Sequence, residues 1–283
     1  MQQAIYLISA HDRKGLLTWI SGFFTQEDFN ILDCRHYTAE MEGRYFMRIR
    51  IDLDSHIGFP PRELEKRFSK LAKELSLQYS VHYSDEKPRM AIMVSKTSHC
   101  LYDLLSQQEE GALDCEIPLI VSNHETLRYV AERFNIPYFC VEAKSKAEQE
   151  AEFLKLFAEH RVDFVVMARY MQILTDEFIA HYPMKIINIH HAFLPAFQGG
   201  DPYTRAWARG VKMIGATAHY ATAELDEGPI IEQDVERISH EHSPDDLRAI
   251  GRDIERRVLT RAVRAHLEHR VLISGRRTIV FSM

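Results

Sequence analysis

The sequence predicts a two-part α/β chain: a ferredoxin-like α+β unit, then a unit built on a mainly parallel sheet. Three observations carry this. Through Tyr83 the apolar pattern runs strand, helix, strand, strand, helix, strand, which is the β-α-β-β-α-β order. Residues 85–89 are polar, contain Pro88 and separate two apolar strands, so they read as a linker. From Met90 onward strands and helices alternate, the signature of a parallel sheet. The expected division is 1–84, linker 85–89, and 90–283.

In the first unit Ala4–Ala10 is a strand and His11–Gly15 a turn. Leu16, Leu17, Ile20, Phe23 and Phe24 then share one face of a helix over Leu16–Thr25. Asn30–Tyr37 and Arg44–Asp52 alternate apolar and polar residues like half-buried antiparallel strands, with a turn at Glu42 and Gly43. Pro61 opens a helix to Leu75, since a proline at the first helical position gives up no hydrogen bond. Leu77–Tyr83 is the fourth strand.

In the second unit Ala91–Val94, Glu116–Ser122, Pro137–Val141 and Phe164–Ala168 read as strands. Between them lie helices over Cys100–Gln108, Glu125–Phe134 and Lys146–Glu159. A short helix, Asp176–His181, leads into a strand that reaches Asn188. Thr204–Gly210 is a helix ending on glycine, and Gly215–Tyr220 a strand of small residues. An acidic loop ends at Gly228 and Pro229 before an apolar strand resumes at Ile230. Ser243 caps a long helix to His269. Its buried stripe is Leu247, Ile250, Ile254, Val258, Ala262 and Ala265, and Arg252, Arg256, Arg257, Arg261 and Arg264 form its solvated face. Arg276–Phe281 is the last strand. No Gly-x-Gly-x-x-Gly follows any strand, so the dinucleotide fingerprint is lacking.

The net charge of -6 offers no basic stripe for phosphates, which argues against a nucleic-acid partner. No apolar run approaches the roughly 18 residues of a spanning helix, and the N-terminus lacks a signal-like core. The expectation is a cytoplasmic protein with no membrane partner. Cys34, Cys100, Cys115 and Cys140 are too dispersed to suggest a disulfide framework or a metal site.

The chemistry gathers at the strand ending Ile187–His190. Asn188 and His190 are two apart, so an extended chain sends both side chains to one face. The strand gives way to Pro195, Gly199, Gly200 and Pro202, a turn-rich stretch. Ligands of open α/β sheets sit at such carboxyl ends. Asp226, in the acidic loop, is a candidate third member that would orient an imidazole and raise its basicity. His191 points to the other face and supports the loop.

Asn188, Ile189 and His190 followed by Leu194 and Pro195, then Gly215, Thr217, His219, Asp226 and Gly228–Ile231, resemble the catalytic core of the folate-dependent formyltransferases. The fuller strings 188–197 and 215–220 are closer still to the formyltetrahydrofolate deformylases, and the likeness extends over nearly the whole chain. The resemblance implies a Rossmann-like formyltransferase domain preceded by an ACT domain, a regulatory module that binds amino acids and pairs its sheets between subunits. It implies hydrolysis of 10-formyltetrahydrofolate to formate and tetrahydrofolate, supplying formate for purine synthesis, with folate as substrate and neither a further cofactor nor a metal. Asn188, His190 and Asp226 would be catalytic. Arg169, Tyr170, Met171, Gln172, Ile173 and Leu174 would line the pterin slot, with Met171, Ile173 and Leu174 as apolar walls, joined by His219, Ala221 and Thr222. Asp12, Gly15 and Leu16 would meet an amino-acid effector, glycine or methionine, in a homo-oligomer.

Two rivals follow from the same likeness: formyl transfer to an amine acceptor, and a non-catalytic folate or amino-acid sensor. The Ser95–His99 loop, glycine-rich in the transferases where it holds the acceptor's phosphate, reads Ser-Lys-Thr-Ser here, which speaks against transfer. The serines and threonine there, and Ser122, also read as helix N-caps. Asn188, His190 and Asp226 are all intact, which speaks against the sensor. Two positions depart from the deformylases: Asp201 stands where a cation is usual, and Ala192 replaces a serine.

Overall fold

The computed structural model describes residues 2–54, 60–142, 145–196 and 202–282, and the chain forms two compact units. The first contains β1 (Gln3–His11), α1 (Leu16–Gln26), β2 (Asn30–Ala39), β3 (Arg44–Asp52), α2 (Pro61–Glu74) and β4 (Gln78–Tyr83). Its sheet has the order β2-β3-β1-β4, with β1 antiparallel to both β3 and β4. This is the predicted ferredoxin-like arrangement. Every second residue of β1 is buried, which sets Tyr6 against both helices. Its ring lies 4.9 Å from Phe24 of α1 and 4.9 Å from Phe68 of α2, edge to face in each case. Phe68 also meets Tyr79 of β4 at 5.0 Å.

The second unit contains β5 (Arg89–Val94), α3 (His99–Glu109), β6 (Glu116–Ser122), α4 (Arg128–Arg133), β7 (Tyr138–Cys140) and α5 (Lys146–Glu159). It continues with β8 (Phe164–Met167), α6 (Asp176–His181), β9 (Ile186–His190), α7 (Pro202–Arg209), β10 (Met213–Tyr220), β11 (Ile230–Arg237) and α8 (Pro244–Leu267). Its seven strands are ordered β11-β10-β9-β8-β5-β6-β7. Strands β5 to β9 run parallel, and β10 is antiparallel to both β9 and β11. β5 and β8 are buried along nearly their whole length, which is why they read as continuous apolar runs. The chain moves outward from β5 through β6 and β7, then returns to lay β8 on the other side of β5. That reversal opens a crevice at the carboxyl ends of β5 and β8.

Helix starts follow their caps. Ser145 accepts from Glu148 N, Thr175 from Phe178 N, and Ser243 forms a capping box with Asp246. On α8, Arg252, Arg257 and Arg261 are exposed as expected, while Arg256 and Arg264 are half-buried. The buried stripe contains an acid, Glu255, that the apolar pattern did not anticipate.

The C-terminus departs from the expected division. It forms two paired strands, β12 (Val271–Ser274) and β13 (Arg277–Val280), rather than one. Residues His269–Leu272 and Ile279–Met283 group with the first unit, so the second does not run unbroken to the end. The cause is a non-local apolar contact: Phe281 completes a small cluster with Ala39 and Phe46. Arg48 adds a hydrogen bond from Nε to the His269 carbonyl at 3.0 Å. No helix among the described residues is long and apolar enough to cross a membrane.

Phe68 is fully buried among four aromatic rings. Phe68→Ala is expected to destabilise the first unit by about 3–5 kcal/mol, read as a lowered urea midpoint. An unchanged midpoint would contradict this packing.

Candidate active site

Strand register assembles the site. β10 lies beside β9 with His219 opposite Asn188 and Thr217 opposite His190. Directly opposed residues on an antiparallel pair bring their side chains together, and Asn188 Nδ2 is 3.3 Å from His219 Nε2. A register shift against β11 falls between Ala218 and His219. Such bulges re-aim a side chain next to a site. Beyond Tyr220 the chain turns back on itself. A Cβ at Gly228 would stand 1.7 Å from the Tyr220 carbonyl oxygen, so only glycine permits the close return. Asp226, two residues earlier, has φ +58°, a left-handed conformation that Asp tolerates better than most residues.

That return places the Asp226 carboxylate between two imidazoles. Its Oδ1 is 3.2 Å from His190 Nδ1 and 3.6 Å from His219 Nε2, and the side chain is only 10% exposed. Burial pulls its pKa up, but the hydrogen bond from His190 and the imidazoles on either side prevail and hold it well below the usual carboxylate range. The His190 proton belongs on Nδ1, facing the carboxylate. Nε2 is buried without a hydrogen-bond partner among the described residues and keeps a lone pair, as a general base requires. His219 Nδ1 is 2.9 Å from the Tyr220 carbonyl. A carbonyl only accepts, so this nitrogen carries the proton and Nε2 of the neutral ring accepts from Asn188.

These residues line a cavity of about 210 Å³. Arg169–Leu174, Ala221 and Thr222 line it too, so the sequence candidates for catalysis and substrate binding share one pocket. The six-residue run is divided in its burial. Tyr170 and Leu174 sink into the core, while Met171 and Ile173 are 55% and 58% exposed. Leu174 therefore anchors the run as well as lining the pocket. Ser95 Oγ accepts from Met171 N at 3.1 Å and donates to Asn123 Oδ1 at 2.8 Å. It braces the run rather than capping a helix, and Ser98, at the cap position of α3, makes no cap bond.

The sequence offered no cavity at Ser95–His99, yet one of about 610 Å³ opens there and shares Arg169, Met171 and His191 with the first. Lys96, Arg248 and Arg252 line it, and its carboxylate is Glu255. Sequence reasoning missed Glu255 and its partner Tyr203. The available signal was an acid on the apolar stripe of α8. Asp201 lies outside the described residues, as do Gly199 and Gly200. Ala192 is buried and its carbonyl accepts from Thr217 Oγ1 at 2.9 Å. In the first unit, Asp12 and Gly15 sit in the turn before α1, with Gly15 at φ +97°, and the Leu16 side chain is in the core.

Residues 88–263 match the formyl transferase family. The chain is 48% identical over 281 residues to formyltetrahydrofolate deformylase of Synechocystis sp., covering 99% of this chain and 98% of that protein. It is 46% identical over 279 residues to formyltetrahydrofolate deformylase of Bacillus subtilis, covering 98% and 93%. The crystal structure of a formyltetrahydrofolate deformylase from Pseudomonas syringae pv. tomato is similar at 42% identity with a TM-score of 0.96, covering all of this chain and 95% of the other.

Burial, then the nearby Arg169 charge, push the His191 pKa down to about 4. Between that value and the ordinary one near 6.5, the unfolded chain binds one more proton than the folded one. Stability should therefore fall as pH drops through this window. His191→Gln should flatten the fall in Tm between pH 7 and 4.5. An identical pH profile in both proteins would contradict a half-buried imidazole held neutral.

Proposed function

The chain belongs to the formyl transferase family and, within it, to the formyltetrahydrofolate deformylases, and on that premise we propose that it hydrolyses 10-formyltetrahydrofolate to formate and tetrahydrofolate. The scissile bond joins the formyl carbon to an arylamine nitrogen. Water is a weak nucleophile toward such an amide, so the reaction needs a base for water and a donor for the oxyanion. The observation that carries the reading is His190 on the pocket wall, whose Nδ1 faces Asp226 at 3.2 Å while Nε2 has no hydrogen-bond partner among the described residues.

In the proposed sequence, His190 Nε2 takes a proton from water as its oxygen bonds to the formyl carbon. Asn188 turns one amide N–H to His219 and the other to the developing oxyanion. Asp226 stabilises the imidazolium. His190 then returns the proton to the leaving nitrogen, and the carbon–nitrogen bond breaks. The pteridine lies along Arg169–Leu174, with Met171 and Ile173 offering apolar surface. Folate is the substrate, and the scheme requires no separate cofactor.

Water rather than an amine fits the adjoining cavity. Lys96, Arg248 and Arg252 line it with cations, and the Glu255 carboxylate is already bonded to His99 and Tyr203, so it is not placed to take a proton from an attacking amine. The first unit is read as an ACT-type module with the Asp12–Leu16 turn as the contact for glycine or methionine, in a cytoplasmic homo-oligomer. Its βαββαβ order supports that reading.

The test supplies 10-formyltetrahydrofolate without any amine and measures formate. Catalytic release, abolished in Asp226→Asn, is expected. Consumption of 10-formyltetrahydrofolate only after an amine is added, with the formyl group recovered on the amine and no formate, would make the protein a transferase, and no consumption under either condition would make it a sensor. Asn188→Ala should lower kcat by roughly 100- to 1,000-fold with KM little changed. A variant with full turnover would exclude the oxyanion role.

A further inference from the structure

Glu255 occupies the buried side of α8 and is 1% exposed. A carboxylate withdrawn from water is tolerated only when its oxygens are satisfied. Oε1 accepts from Tyr203 Oη at 2.6 Å. Oε2 is 2.8 Å from His99 Nε2 and 3.4 Å from Arg169 Nε. Burial pulls its pKa up, but the His99 hydrogen bond and the Arg169 charge outweigh this and the net shift is downward. One carboxylate thus ties together α3, the segment after β8, α7 and α8. Gly251, one turn earlier, belongs to the same construction, because a Cβ there would stand 2.1 Å from Tyr203 Oη.

Arg169 carries this anchor to the catalytic pocket. It begins the wall Arg169–Leu174 and has φ +65°, a conformation that persists in a non-glycine residue only when its surroundings over-determine it. Among the described residues, Glu255 is the one carboxylate within ion-pair distance of its guanidinium. That group is 13% exposed, and among the described residues neither its Nε nor its Nη1 has a hydrogen-bond partner, so its contact with Glu255 is a charge pair without a hydrogen bond. His99, Cys100 and Glu255 also have the spacing of metal ligands, but the Arg169 cation already stands against that carboxylate.

We propose that Glu255 is a positioning residue for the hydrolysis: through Arg169 it holds the Arg169–Leu174 wall in the form that binds folate. The inference rests on the assignment of this pocket to folate.

Glu255→Gln keeps the shape and an acceptor for Tyr203 but removes the charge facing Arg169. KM for 10-formyltetrahydrofolate should rise about tenfold while kcat stays within about threefold. Hydrogen–deuterium exchange over residues 169–174 should quicken without substrate. Tyr203→Phe, which keeps the charge pair, should leave KM within about twofold. Should Glu255→Gln not fold, Glu255→Asp is expected to show the same split on a smaller scale. A lowered Tm with unchanged KM and exchange would reduce Glu255 to a structural part and overturn the proposal. So would a fall in kcat at constant KM. If the wild type releases no formate, the folate assignment fails, and the exchange data still report on the anchor.

Discussion

The pocket depends on holding one carboxylate between two imidazoles. An ionised Asp226 withdrawn from water needs donors, and once His190 gives it the Nδ1 proton the tautomer of that ring is set. The second imidazole is constrained from its other side, because His219 Nδ1 faces a carbonyl. Its Nε2 lone pair then confronts the Asp226 carboxylate at 3.6 Å, an acceptor facing an acceptor. Asn188 relieves this by directing its amide N–H at His219 Nε2. The orientation of Asn188, the protonation of His219 and the charge on Asp226 are therefore linked.

Backbone rules make that linkage achievable. The β9–β10 register fixes the spacing of Asn188 and His219, and a one-residue slip of either strand would leave the two on opposite faces. Glycine at 228 brings the loop back close enough for Asp226 to reach beneath them. The reversal of strand order beside β5 supplies an open crevice in front of these groups. Two positive-φ residues other than glycine, Arg169 and Asp226, border this pocket. Such residues also occur away from the pocket, Asn135 and Met184 among them, but here they shape the two segments that frame the chemistry.

The order of elements was legible because apolar periodicity is local. β1 alternates, β5 and β8 are continuous, and Ser243 announces α8. Asn188 and His190 could be placed on one face by counting, and Asp226 in its acidic loop could be named as their candidate partner, a reading the resemblance strengthened. What the sequence hid was non-local. Glu255 was overlooked because the arginines around it mark α8 as having a solvated face, and only the fold shows which side of the helix Glu255 takes. Ser95 looked like a cap, yet its partner is Met171 N, 76 residues away. Phe281 was read as part of a terminal strand, and its buried partners Ala39 and Phe46 lie more than 230 residues upstream.

That last contact bears on how the molecule is made. The first unit draws on residues at both extremes of the chain, so it cannot be completed when its own strands leave the ribosome. Ala39 and Phe46 wait, without Phe281, while the whole second unit is synthesised. At typical elongation rates of about 5–20 residues per second, that delay is on the order of ten seconds or more. The unit whose strands are made before the second is finished after it, and a fragment cut at the linker would lack part of its own core.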